Sequence, residues 1–328
     1  MKSAAGATLP LKSAVIYILV MTGLIASGVF ALPVRTMAEA AHMKNFFGRF
    51  IRRSSDIGLG ERPVPVFIIS YNRAAYLRRV LDSYRRLAVP IDIVIHDNGS
   101  DDPETLEELK RLEDGGIAIV RRPKISHPDQ LDEVDLTVRA YFDRAGYESR
   151  YVVTDCDIDL SIADRSAIEV YSALLDLYPR AECVGPMLRI RDIPTDYALY
   201  NHVMNRHIRQ FWRHKPRRAV LPQGPVAFIK AQIDTTFALH RAGQPFRRLK
   251  HGLRVYEPYE ALHLDWYPTD GDEDRNYSRS SSSEISHWNN DEQQREYSSV
   301  DLQYRKFNYV EAVDGKPVTK QFQFCRSD

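Results

Sequence analysis

Asp155 and Asp157 stand two residues apart in YVVTDCDIDL, Tyr151–Leu160, directly after the strand formers Tyr151, Val152, Val153 and Thr154. Side chains alternate along an extended chain, so the spacing predicts both carboxylates on one side. Two carboxylates at the mouth of a buried strand repel each other, and a divalent cation removes that conflict. Mg²⁺ or Mn²⁺ would take one or two of these oxygens and leave positions for a diphosphate. A solvated acidic turn before a helix has the same sequence, so the pair alone does not decide. Asp159 repeats the parity, either as a further ligand or as a charge capping the next helix.

Three other runs must position that pair. Val64–Ser70 (VPVFIIS), Ile91–Ile95 and Ile117–Val120 are short, apolar and bounded by polar residues, the pattern of buried strands. Between them apolar residues recur at helical spacing: Leu77, Val80, Leu81, Tyr84 and Leu87; then Leu106, Leu109 and Leu112; then Leu131, Val134, Val138, Tyr141, Phe142 and Ala145. Asp102 followed by Pro103 marks a helix start. Gly115-Gly116 and Gly146 mark helix ends. The resulting order β-α-β-α-β-α-β predicts an α/β fold with a mostly parallel sheet flanked by helices. Ligands of such sheets sit beyond the carboxyl ends of the strands. The polar clusters Ser70–Arg73, Asp97–Asp102 and Asp155–Asp159 all fall at those ends.

Composition narrows the class. The chain has 328 residues, 44% of them hydrophobic, and a net charge of +1, so nothing pulls it toward nucleic acid. Cys156, Cys183 and Cys325 form neither a zinc pattern nor a disulfide framework. Residues 14–33 are apolar and uncharged, long enough to cross a bilayer, with a cleaved leader as the rival reading. The expected layout is a tail at 1–13, a single-pass anchor at 14–33, a stem at 34–62 and a catalytic domain at 63–328. Arg35, Lys44, Arg49, Arg52 and Arg53 after the span favour a cytosolic domain. A Golgi-type anchor would need the opposite orientation.

The runs PVFIISYNRAAYLRRVLDSYRRL, IDIVIHDNGSDDPETLEELKRL and YVVTDCDID together resemble the nucleotide-binding half of family-2-like glycosyltransferases of the GT-A fold. The resemblance spans about residues 63–160, leaving 161–328 as an acceptor half. It implies a UDP-sugar or GDP-sugar donor, Mn²⁺ or Mg²⁺, and a glycan, lipid or protein acceptor. It implies that Asp97 contacts the nucleoside, Asp155 the ribose and Asp157 the metal, with Tyr71, Asn72 and Arg73 bordering the donor. The family's usual Asp-Asp-Gly-Ser turn reads Asp97-Asn98-Gly99-Ser100 here. The same resemblance points to a late histidine on the ion, for which His263 is the candidate. A core histidine is the alternative.

In the acceptor half, Ala181–Pro186 reads as a strand, and Ser161–Asp164 as the start of a helix. Ile233–His240 (IDTTFALH) alternates like a strand lining a cleft. Asp234 is the candidate general base for an inverting transfer, or else a structural hydrogen-bonding group. Asp274, with Glu273, is the second candidate. Tyr197–Lys215 gathers Tyr, His and Arg toward an anionic acceptor, the diphosphate, a membrane surface or plain solvent. Trp266 and Tyr267 either stack on a sugar or fill core. Residues 268–300 read as a lid or surface loop, and Asp314-Gly315-Lys316 as the turn of a closing hairpin. Two rival functions remain: a sugar nucleotidyltransferase, and a catalytically dead, membrane-tethered nucleotide-sugar-binding protein. The first needs a Gly-rich loop after the opening strand, but Gly58–Pro63 precedes it.

Overall fold

A computed structural model of the chain describes residues 62–267 and 300–324. The expected span 14–33, nearly all of the stem, Glu273, Asp274 and Cys325 lie outside the described residues. Among the described residues no helix is long and apolar enough to cross a membrane.

The expected alternation of strands and helices is present. β1 (Val64–Ser70), β2 (Ile91–Asp97), β3 (Ala118–Arg121) and β4 (Tyr151–Asp155) run parallel in the order β3-β2-β1-β4. α1 (Ala74–Tyr84), α2 (Pro103–Asp114) and α3 (Val134–Ala145) connect them. α1 seals the sheet with Leu77, Val80, Leu81 and Tyr84, all buried. The three aliphatic side chains each contribute about 1.5–3 kcal/mol. α2 starts as expected, with the Asp102 carboxylate accepting from Thr105 N at 2.8 Å and Pro103 in the first turn. α3 ends at Gly146 in the left-handed region, φ 69°. Leu106 departs from expectation. It is 44% exposed, because the inner face of α2 is made by Thr105, Glu108, Leu109 and Leu112.

The sheet then changes character. β6 (Cys183–Pro186), β7 (Arg217–Leu221), β8 (Gly224–Ile233), β9 (Ala238–His240) and β10 (Lys250–Val255) extend it to nine strands, ordered β3-β2-β1-β4-β9-β6-β10-β8-β7. Only β8 and β9 run against the others, so the sheet is mostly parallel. The expected single strand Ile233–His240 is two pieces. The chain turns over Asp234–Phe237, with Phe237 at φ 45° and its ring buried 4.7 Å from that of Tyr84. Gly185 permits this turn. A Cβ there would press on the Thr236 and Phe237 carbonyl oxygens at 3.1 and 3.2 Å.

Two further corrections follow from hydrogen bonding. α4 (Ala167–Leu177) begins later than Ser161–Asp164 suggests. The Ser161 amide and hydroxyl are taken by Asp159, at 2.7 and 2.9 Å, and Asp164 accepts from Ser166. α5 (Tyr200–His207) runs into a wide π-turn at Ile208–Trp212. A hairpin of β12 (Lys306–Val313) and β13 (Lys316–Gln323) packs Phe307 against Trp212, and its turn uses Asp314 and Gly315 at φ 49° and 70°. Cys156 and Cys183 are buried free thiols.

Candidate active site

Asp155 and Asp157 do not lie on one extended strand. β4 stops at Asp155, the chain turns through Cys156 and Asp157, and a two-residue strand β5 (Ile158–Asp159) follows. β5 pairs antiparallel with β11 (Leu262–His263), setting His263 opposite Ile158. Leu264 N then donates to the Asp157 carbonyl at 2.8 Å. This short ladder brings a histidine more than a hundred residues away to the turn.

Asp157, His263 and Asp265 thereby each offer a ligand atom within 4.8 Å of the others. Asp157 Oδ1 and His263 Nδ1 are buried with no hydrogen-bond partner among the described residues. Buried polar atoms are normally satisfied, so such orphans ask for an explanation. Two carboxylates and an imidazole are a donor set for a borderline divalent cation such as Mn²⁺, and the residues present fit one. His263 was expected here and Asp265 was not. It sits two residues on in Leu262-His263-Leu264-Asp265, a spacing that could have flagged it. Trp266 lies beneath, its ring stacked on His263 at 4.7 Å and 6°, and 4% exposed, so it supports the histidine. Tyr267 donates to Asp192 at 2.7 Å.

Arg73 reaches the same place from the turn after β1. Its Nη1 lies 2.8 Å from Asp157 Oδ2 and 2.8 Å from Asp265 Oδ1, and Nη2 donates to Asp265 Oδ2 at 3.0 Å. The guanidinium thus bridges both carboxylates of the cluster. Asn72 holds the turn that carries it. Its Oδ1 accepts from Asp101 N and Asp102 N at 2.9 and 3.0 Å, and its Nδ2 donates to Asp101 at 2.6 Å. Asn72 sits at φ 49°, a conformation asparagine tolerates better than most residues. Its amide therefore latches the β1 turn to the β2 turn. The Tyr71 ring stands 5.0 Å from the Lys124 ammonium, at the edge of the same loops.

Asp97 is 2% exposed, and its carboxylate accepts from Ser100 Oγ at 2.5 Å and Ser100 N at 3.1 Å. Burial raises its pKa and the Ser100 bonds only partly offset that. Strand register sets Asp97 beside Ser70 and Asp155 beside Ile69, so the two carboxylates leave the sheet on opposite faces. Asp97 therefore shapes the Asn98–Ser100 loop. Gly99, at φ 75°, lets that loop pass the Lys124 backbone, where a Cβ would come within 2.5 Å of an amide nitrogen.

Asp155 belongs to the other wall. Its amide donates to the Thr235 carbonyl at 2.8 Å, Thr235 Oγ1 donates to its carboxylate, and Arg248 stands 4.0 Å away. Burial pushes its pKa well above the usual carboxylate range against the pull of Arg248, with Asp157 adding to the rise. The Thr235 weld brings the neighbouring Asp234 to the same place. Asp155 and Asp234 both line a cavity of about 520 Å³, with His263 and Trp266 on one side. Burial works against an ionised Asp234. Arg254 at 3.8 Å, Arg248 and the Thr236 hydroxyl at 2.9 Å outweigh it and hold the pKa below the ordinary value. Asp234 is thus an anion facing open space. His207, also on the wall, is kept neutral by burial and then by Arg254 and Arg206. Neither Thr235, Arg248 nor Arg254 carried a sequence signal, since each acts through a contact distant in the chain.

The expected site residues thus form two connected groups. Arg73, Asp157 and His263 meet at the cation cluster, while Asp155 and Asp234 meet in the cavity. Tyr71, Asn72 and Asp97 build the loops along the edge. Asp274 lies outside the described residues. Asp159 is buried and bonded to Arg79 and Ser161, which makes it a structural group.

The family model described as Glycosyl transferase family 2 matches residues 66–127. No curated protein sequence matches the chain. Among solved structures, it resembles a mannosyltransferase from Pyrobaculum calidifontis in complex with GDP-Man and Mn²⁺, at 17% identity and TM-score 0.30, covering 50% of this chain and 48% of that one. It also resembles S. aureus TarS in complex with UDP-GlcNAc, at 12% identity and TM-score 0.33, covering 55% and 45%. A third is glucosyl-3-phosphoglycerate synthase from Mycobacterium tuberculosis with Mn²⁺, UDP-glucose and phosphoglyceric acid, at 14% identity and TM-score 0.30, covering 56% of each chain. This chain spans about half the length of each. The matched segment carries the turns that seat Arg73 and Asp97 at the carboxyl edge of the sheet, and over that segment the chain is similar to the family 2 glycosyl transferases.

Proposed function

We propose that the chain moves a sugar from a nucleoside-diphosphate donor to a hydroxyl-bearing acceptor, with inversion and with the help of a divalent cation. The observation that carries this reading is the Asp157, His263 and Asp265 cluster, with its orphaned buried atoms, opening beside a cavity that holds an ionised Asp234. Asp157, His263 and Asp265 would hold Mn²⁺ or Mg²⁺, and the mixed N and O donor set favours Mn²⁺. Bound there, the cation supplies positive charge to the departing diphosphate.

The chain's own residues do the rest. Asp155 accepts from the ribose, and the Asn98–Ser100 loop shaped by Asp97 receives the base. Arg73, released from the carboxylates, is placed to reach donor phosphate oxygens. Asp234 takes the proton from the acceptor hydroxyl as its oxygen bonds to the anomeric carbon. The bond from that carbon to the diphosphate breaks, and the electron pair leaves with the diphosphate. Arg254 keeps Asp234 unprotonated between turnovers. Anchorage through residues 14–33 belongs to the same reading.

The test is release of nucleoside diphosphate from UDP-sugars and GDP-sugars, with Mn²⁺ and then with chelator. Turnover is expected only with the cation. Asp157→Ala should abolish it while circular dichroism stays that of the wild type. Asp234→Asn should lower kcat for transfer by about 10²–10⁴-fold. Normal turnover of Asp157→Ala would remove the assignment. Pyrophosphate release from a nucleoside triphosphate and a sugar phosphate would indicate a nucleotidyltransferase, and nucleotide binding without turnover a tethered binding protein.

A further inference from the structure

The cavity carries both charges. Asp155, Asp234 and His263 line it, with Arg254 against Asp234, and so do Arg206, Arg209, His214 and Lys230 together with Gln210 and Gln232. Several arginines elsewhere are paired with carboxylates. Arg150, Arg189 and Arg191 each face a carboxylate, and Arg78, Arg79 and Arg121 do so even at the surface. Arg209 and Lys230 line the cavity, both are exposed, and among the described residues neither has a carboxylate partner.

The backbone explains why they converge. Lys230 and Gln232 share one face of β8, and Asp234 keeps that parity just past the strand end. Opposite them the π-turn Ile208–Trp212 widens the end of α5 and brings the consecutive Arg209, Gln210 and Phe211 into the lining. Trp212 anchors this turn, 1% exposed and 5.4 and 5.6 Å from the Tyr256 and Phe307 rings. Four residues of strand set the Lys230 backbone about 13 Å from that of Asp234. Lys230 therefore lines the same cavity as Asp234 without lying against it, which leaves room for one molecule to reach from one to the other.

We infer that the acceptor carries a phosphate group, and that Lys230 and Arg209, with Arg206 and His214, hold it while its hydroxyl meets Asp234. This rests on the glycosyltransferase reading and adds the class of acceptor to it. A phosphate presents several charged oxygens, and cations on two facing walls would fix both its place and its orientation. The phosphate belongs either to a soluble metabolite or to a lipid headgroup.

The experiment titrates inorganic phosphate, glycerol phosphate and glycerol into the full chain already saturated with Mn²⁺ and UDP or GDP, by calorimetry. Both phosphates are expected to bind beside the nucleotide and glycerol is not. Lys230→Gln and Arg209→Gln are each expected to weaken phosphate binding about tenfold, the loss of one charge-assisted contact. Equal binding of glycerol, unchanged affinity in both variants, or failure of phosphate to bind until nucleotide is removed would overturn the inference. Phosphatidylcholine vesicles with and without phosphatidic acid separate the sources. Capture by phosphatidic acid that Lys230→Gln abolishes supports a lipid phosphate. Binding of glycerol phosphate alone supports a soluble one. Donor hydrolysis with Mn²⁺ in the same preparation reports separately on the parent reading, since it needs no acceptor.

Discussion

Arg73 occupies the centre of the cation cluster, so replacing it tests the cluster directly. The side chains of Arg73 and Asp157 are 10% and 11% exposed, and the guanidinium also binds both oxygens of Asp265. Arg73→Met keeps the length and removes the charge. Two close carboxylates are then left without a counter-ion. Breaking a buried pair from one side costs about 3–5 kcal/mol. Taking about 3 kcal/mol and 2–4 °C per kcal/mol for a domain of this size gives a fall in Tm of roughly 6–12 °C in chelator. A divalent ion that binds the native cluster returns about 2.7 kcal/mol at a hundredfold excess over its Kd. The variant should therefore regain most of its deficit in Mn²⁺. The wild type should gain less, because the ion must first displace the guanidinium. Scanning calorimetry of the full chain, with chelator and then Mn²⁺, measures all four values. Equal deficits in the two conditions would refute the argument, since the guanidinium would then not be standing where the ion binds.

Two further outcomes follow from single contacts. Asn72→Ala strands the Asp101 and Asp102 amides and should cost about 1–3 kcal/mol in urea unfolding, and Asn72→Asp, which keeps an acceptor oxygen but sets a second carboxylate against Asp101, should not recover that loss. Acid should destabilise the fold through two buried histidines. His96 is pushed down to about 4, by burial and then by Arg122, and His240 to about 3, by burial and then by Lys250. Both stay neutral in the native chain while the unfolded chain takes up protons near pH 6.5. Their contribution is thus intact above about pH 6.5 and is lost as pH falls toward 4 and 3, roughly 2 kcal/mol each by about pH 5. Urea midpoints that stay level between about pH 6.5 and 5 would contradict this.

The parallel half of the sheet was legible because each of its signals is local. Residues 64–69 are apolar throughout because both faces of β1 are covered, and their burial follows. Asp102-Pro103 and Gly146 mark helix ends through properties of the residues themselves. Parity arguments failed wherever the chain left the strand. Asp155 and Asp157 were expected on one side, but parity holds only for continuous extended backbone, and Cys156–Asp157 is a turn. Ile233–His240 failed for the same reason at Phe237, whose positive φ no local pattern announces.

The site itself depends on pairings too short to leave a sequence pattern. β5 and β11 are two residues each, and neither has a period that could be read. Yet their pairing, with the Leu264 to Asp157 hydrogen bond, decides that His263 and Asp265 meet the turn after β4. The same holds for Asp234. Its carboxylate is placed by Thr235, whose backbone and hydroxyl are both bound to Asp155 eighty residues earlier. Residue type was informative for Asp157, His263 and Asp234, because few side chains can bind a cation or take a proton. Position was not, because it is fixed by contacts between the two halves of the sheet. Any substitution that breaks the Thr235 weld, such as Thr235→Val, should therefore disturb donor and acceptor sites together, although Thr235 itself is fully buried. A change confined to one of the two sites, seen as an altered donor KM with an unaltered acceptor KM, would show that the halves are positioned independently.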